Sequence, residues 1–190
     1  MIPREAIRER SAEWQLRINV VEKDYVLGWL LAAIAEHPET SQHWVLKGGT
    51  CLKKCFFETY RFSEDLDFSL MPGARYTADE LKEIIQEVAT RAGELSGIGF
   101  LPETIAVQER RNKQGDQTFE ARIGYRGPMA DPSIPRVRFD LTRQEPLLDG
   151  VDRRGVFHAY PDTLPEGMSV ATYSIEELFA TSDVVSCHLP

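Results

Sequence analysis

Apolar residues recur at helical spacing in two stretches near the N-terminus. Residues 3–16 place Ile7 and Trp14 on an inward side, and Pro3 suits a first helical turn. Residues 20–35 carry Val20, Tyr25, Leu27, Leu30, Leu31 and Ile34, a broad apolar face that Pro38 is expected to end. The period then changes. Residues 44–46 form a short apolar run that reads as a strand, Gly48 and Gly49 as a tight turn, and residues 50–57 as a helix. In the next segment Leu66, Phe68 and Leu70 alternate with Asp65, Asp67 and Ser69, which predicts a strand with one apolar and one polar face, closed by Pro72 and Gly73. Thr77 followed by Glu80 is a capping box for a helix to about residue 95. Three more strands are predicted near residues 105–109, 118–125 and 136–142, with Pro132 and Pro135 breaking the chain before the last. Residues 150–165 are rich in Pro, Gly and Asp and read as loop; Ser174 caps a short helix over 175–180. This succession is an α+β pattern, not a regular βαβ alternation.

Composition narrows the class. With 190 residues, 42% of them hydrophobic and 27% charged, the chain has the make-up of one globular domain. Residues 1–40 are expected to form a helical segment packing on a core of residues 41–180, followed by an irregular tail over 181–190. No apolar run approaches the roughly 20 residues of a membrane span, and the N-terminus lacks the apolar region of a secretory signal. A cytoplasmic protein without a membrane partner is expected. Cys51, Cys55 and Cys187 make no disulfide framework, and the first two lack the further Cys/His pair that a zinc site needs. A net charge of −8 argues against broad nucleic-acid binding. It leaves room for local basic patches at Arg110, Arg111 and Lys113, and at Arg136, Arg138 and Arg143.

Asp65 and Asp67 are two apart on a predicted strand and so share a face. Paired carboxylates repel, and a hard divalent cation such as Mg²⁺ relieves that repulsion while keeping positions open for phosphates. Upstream, Gly48 and Gly49 lie between a strand and a helix, where the lack of side chains lets backbone N–H groups approach a phosphate. Thr50 adds a hydroxyl; Lys47, Lys53 and Lys54 add charge. An isolated Asp-x-Asp is weak and an isolated Gly-Gly is commonly a plain turn. Their order along the chain makes the plan of a site for a triphosphate and metal ions.

Gly48-Gly49-Thr50, followed by Tyr60-Arg61-Phe62-Ser63-Glu64-Asp65-Leu66-Asp67-Phe68, resembles the signature of the AbiEii/AbiGii toxin-type nucleotidyltransferases, in the DNA polymerase β-like superfamily. Glu22-Lys23-Asp24-Tyr25 resembles a motif of that family's N-terminal helix. The resemblance is specific over residues 22–68 and continues more weakly to about 180. It implies an α+β fold with a mixed sheet flanked by helices. It implies transfer of a nucleoside monophosphate from an NTP, with Mg²⁺ or Mn²⁺, to an acceptor hydroxyl on RNA or tRNA, by a toxin restrained by an antitoxin protein. Asp65, Asp67 and Asp140 would be the catalytic and metal-holding carboxylates. Gly48, Gly49, Thr50, Lys54 and Ser63 would bind the nucleotide. Read from the residues alone, Asp140 in Val137-Arg138-Phe139-Asp140-Leu141-Thr142 fits either a metal ligand or an ion-pair partner of Arg138 or Arg143.

The resemblance also implies a helical C-terminal region bearing a Glu-Lys pair and an Arg-Asp-x-Tyr-Asp motif. After Ala180 this sequence reads Thr181-Ser182-Asp183-Val184-Val185-Ser186-Cys187-His188-Leu189-Pro190. The expectation is therefore a nucleotidyltransferase core with most of that region missing. The rival expectation is a remnant that binds nucleotide or a partner without turnover.

Overall fold

Helix α2 (Ile18–Glu36) is apolar nearly all round, and Tyr25, Val26, Leu27, Leu30, Leu31 and Ile34 are all buried. A helix of that kind has to be enclosed. The coordinates are those of a computed structural model and describe residues 1–58, 61–111, 115–143 and 150–181. Tyr60, Lys113 and the tail beyond Thr181 lie outside the described residues. Helix α1 (Arg4–Trp14) precedes α2 and contributes the fully buried Ile7.

Pro38 does more than end α2. His37 is extended, and Pro38 begins a further short helix, α3 (Pro38–His43), which the sequence pattern did not predict. Proline at a first helical position lacks only an N–H that would have had no helical partner. From Trp44 the chain enters β1 (Trp44–Lys47), and from Gly48 it turns into α4 (Gly48–Cys51), whose continuation over Leu52–Phe56 widens to π-helical geometry. The helix expected from Thr50 thus begins at Gly48.

Strand β2 (Asp65–Leu70) is followed by α5 (Ala78–Ser96), with the Thr77–Glu80 capping box formed and Gly97 in the left-handed conformation closing it. Then come β3 (Gly99–Arg111), β4 (Gln117–Arg126) and β5 (Arg136–Arg143). β3 starts earlier than its alternation predicts, because the β3–β4 register shifts between Leu101 and Ala106 and breaks the pattern there. Residues 150–165 are not all loop: β6 (Asp152–Arg154) pairs with β7 (Val170–Thr172), a three-residue strand too short to show a period. Helix α6 (Ile175–Thr181) follows, with the Glu177 N–H donating to Ser174 Oγ at 3.1 Å.

The seven strands form one sheet in the order β3-β4-β5-β2-β1-β7-β6. Two pairings, β2 with β5 and β1 with β7, are parallel, and the others are antiparallel. The mixed sheet flanked by helices is the expected α+β arrangement. Leu46, Leu66, Phe68, Phe119, Ala121, Val137, Phe139 and Leu141 line one face and join α2 and α5 in a single core. The pleat sends the alternate residues to the opposite face, and these are mostly charged.

Candidate active site

The polar face of the sheet brings the acidic residues together. β2 and β5 run parallel with Asp67 directly beside Asp140, and Asp65 beside Arg138. On its other side Asp67 is opposite Lys47 of β1, while Asp140 is opposite Glu120 of β4. One row across four strands therefore reads Lys47, Asp67, Asp140, Glu120.

Asp67 is the most confined of the three aspartates. Burial, then the charges of Asp140 and Asp65, push its carboxyl up to about 6, against the partial relief of Lys47 and Arg138. Asp140 is engaged by Arg138, whose Nε and Nη2 donate to Asp140 Oδ2 at 3.0 and 2.6 Å. The same guanidinium reaches to 4.0 Å from Asp65 Oδ2. Asp140 therefore has the ion pair with Arg138 that one sequence reading expected, and it lies beside the acidic pair. Among the described residues no three carboxylate, histidine or cysteine groups converge as a preformed metal cluster.

Gly48 adjoins this row. Its φ is +72°, and a Cβ there would fall on Asp67 Oδ2. Both the conformation and the close approach require glycine. A Cβ on Gly49 would lie 3.1 Å from Ser63 Oγ and 3.9 Å from Arg61 Nη2. Gly48 thus lies against the acidic row, and Gly49 lies against a hydroxyl with a guanidinium close by.

A sequence model described as nucleotidyl transferase AbiEii toxin, type IV toxin–antitoxin system, matches residues 29–181. The chain belongs to this family. It is a nucleotidyltransferase-type toxin of a type IV toxin–antitoxin system. No curated protein matches the chain.

The AbiEii-type site is held from below by α2. Glu22, Lys23, Asp24 and Tyr25 each reach a different segment. Glu22 Oε1 accepts from the Met129 N–H at 2.7 Å, and Gly127 leaves room for it. Lys23 donates to Glu64 at 2.7 Å, next to Asp65. Asp24 Oδ2 accepts from Lys54 Nζ at 2.6 Å and from the Tyr160 hydroxyl at 2.9 Å. The Tyr25 hydroxyl donates to Asp162 at 2.7 Å. These four residues tie the β4–β5 connection, the approach to β2, the helix after the glycines and the segment before β7 to one helix.

Lys54, expected at the nucleotide, is placed with a partner of its own. Its side chain is 2% exposed and its ammonium is ion-paired with Asp24 at 2.6 Å. The buried Thr50 hydroxyl donates to the backbone carbonyl of Asp65 and so ties the start of β2 to α4. Ser63, Gly48 and Gly49 do come together. Arg61 is the neighbour the sequence reading left out of the site. It was visible only as part of the motif, because residues 61–64 precede the strand and carry no period of their own.

The basic patches also redistribute. Arg110, Arg122, Arg136 and Arg138 share the polar face with Asp140, through the pairings of β3, β4 and β5. Arg143 instead bonds Gln117, and Arg111 bonds the Gly115 carbonyl at 2.9 Å. No helix among the described residues is long and apolar enough to cross a membrane.

Proposed function

We propose that this toxin transfers a nucleoside monophosphate from an NTP to a hydroxyl on an RNA acceptor, tRNA included, in a reaction that depends on Mg²⁺ or Mn²⁺. The observation that carries the reading is the in-register pairing of Asp67 with Asp140, with Asp65 two residues away on the same face.

The donor set suits a hard divalent ion. It is all oxygen, it carries three formal negative charges on one face, and burial together with the charges of Asp140 and Asp65 raises the Asp67 carboxyl to about 6. Asp65, Asp67 and Asp140 would hold the ion, which when bound supplies charge neutralisation for the phosphates. The remaining work falls to the chain. Gly48 and Gly49 let the triphosphate lie against the backbone, and the Ser63 hydroxyl is available to hydrogen-bond it. Asp140 takes the proton of the acceptor hydroxyl as its oxygen bonds to the α-phosphorus. The bond from that phosphorus to the β-bridging oxygen breaks, and pyrophosphate leaves. Positioning and charge stabilisation carry such a transfer.

A nucleic-acid acceptor is supported by the four arginines on the face that bears Asp140. Arg110, Arg122 and Arg136 are exposed and come from three adjacent strands, β3, β4 and β5. They form a local basic surface on a chain of net charge −8. Restraint by a separate antitoxin protein belongs to the same reading.

Incorporation of labelled NTP into total RNA tests it. Asp65→Ala and Asp67→Ala are each expected to abolish labelling with the circular dichroism spectrum unchanged. Undiminished labelling in either variant overturns the assignment.

A further inference from the structure

With Lys54 buried against Asp24, the glycine turn needs another cation if it is to receive a triphosphate. Three side chains are near enough to consider. Lys53 is 8% exposed, donates to the Glu58 carbonyl and lies 4.4 Å over the Phe62 ring. Burial pulls its ammonium below the usual lysine range. Lys47 faces Asp67 across β1 and β2 and lowers that carboxyl's pKa. Arg61 is different. It is exposed, and among the described residues it has no hydrogen-bond or ion-pair partner. Its Nη2 stands 3.9 Å from the Cβ position that Gly49 leaves empty.

Residues 61–64 alternate in what they face. Phe62 packs on Trp14, ring centroids 5.4 Å apart, and Glu64 bonds Lys23 of α2 at 2.7 Å. Arg61 and Ser63 face Gly49. The two anchoring residues fix the two that lie on the Gly49 side. A guanidinium held this way next to a hydroxyl suits bidentate binding of phosphate oxygens. The direction is also defined. Asp67 lies against Gly48 and Arg61 against Gly49, so a triphosphate with its α-phosphate at the aspartates runs its terminal phosphates toward Arg61.

We propose that Arg61 binds the β- and γ-phosphates of the nucleotide and neutralises the pyrophosphate as it leaves. This rests on the nucleotidyl-transfer reading above. As the acceptor oxygen bonds to the α-phosphorus, the electron pair of the breaking bridge passes to the β-phosphate oxygen. That is the charge the guanidinium meets, while the hydroxyl proton goes to Asp140.

Calorimetric titration of the full chain in Mg²⁺ with tripolyphosphate, pyrophosphate, each NTP and each NMP separates the possibilities. Arg61→Ala is expected to weaken tripolyphosphate, pyrophosphate and NTP binding by about 10- to 100-fold, the range for losing hydrogen bonds to a charged group. NMP binding is expected to stay the same, and Arg61→Lys to restore only part of the loss. If the parent binds tripolyphosphate and Arg61→Ala binds it equally well, this inference falls and the transfer reading stands. An equal loss for NMP and tripolyphosphate also overturns it, since Arg61 then acts through the shape of the segment. If the parent binds neither NTP nor tripolyphosphate, both readings fall.

Discussion

Arg138 donates from Nε and Nη2 to a single carboxylate oxygen of Asp140, at 3.0 and 2.6 Å, and leans to within 4.0 Å of Asp65. One guanidinium therefore engages two of the three carboxylates proposed to hold the metal. An arriving cation has to share or displace it. Exposed pairs of this kind are worth about 0.2–1 kcal/mol.

Arg138→Ala is accordingly expected to tighten Mn²⁺ binding to the nucleotide-free protein by about two- to fivefold, the range that such a pair energy allows. Arg138→Lys keeps the charge but loses the fork, and is expected to fall between the parent and the alanine variant. Titration followed by the paramagnetic signal of free Mn²⁺ measures this directly. Weaker binding in Arg138→Ala would show that the guanidinium organises Asp140 for the metal instead of competing with it.

Asp67 makes stability depend on pH in a defined direction. Its carboxyl is raised from 3.8 to about 6 by burial and by Asp140 and Asp65. The folded state therefore holds the proton more tightly than the unfolded chain does. Below about pH 4 the group is protonated in both states and costs nothing. As pH rises through about 6 the folded state must accept a charge that the unfolded chain already carries in water, and stability is lost. Asp67→Asn is expected to gain about 1–3 kcal/mol over the parent at pH 8 without metal, an advantage that shrinks as pH falls toward 4. Millimolar Mg²⁺ is expected to remove most of it. Denaturant melts at the two pH values, with and without Mg²⁺, check the sign.

The Asp24–Lys54 pair is 5% and 2% exposed. Removing one partner strands a buried charge, at a cost of about 3–5 kcal/mol. Lys54→Met is expected to lower the melting temperature sharply while the folded fraction binds tripolyphosphate with unchanged affinity. Asp24→Asn combined with Lys54→Met is expected to cost less than the sum of the single changes. A selective loss of tripolyphosphate affinity in Lys54→Met would return this lysine to the phosphate site.

Local periodicity made much of this legible. Leu66, Phe68 and Leu70 announce β2 and so place Asp65 and Asp67 on one face; Val137, Phe139 and Leu141 do the same for Asp140. The adjacency of those two strands was not readable from period, because a parallel pairing is made between segments remote in sequence and leaves no local trace. The pairing of Lys54 with Asp24 was hidden for the same reason. A lysine in a Lys-Lys pair on a short helix suggests solvent, and its buried partner Asp24 belongs to a helix far upstream. Strands β6 and β7 are three residues each, too short for any pattern to declare. Arg61 escaped because the segment before β2 has no regular structure, so only its position beside Gly49 marks it.

The parallel seam between β2 and β5 also sets a time order. Asp65 and Asp67 leave the ribosome early, but Asp140 can settle beside them only after α5, β3 and β4 have been made and β5 has closed the gap. Contacts of such long range form late in folding. A nascent chain therefore carries Asp65 and Asp67 without Asp140 beside them until most of the sheet has been synthesised.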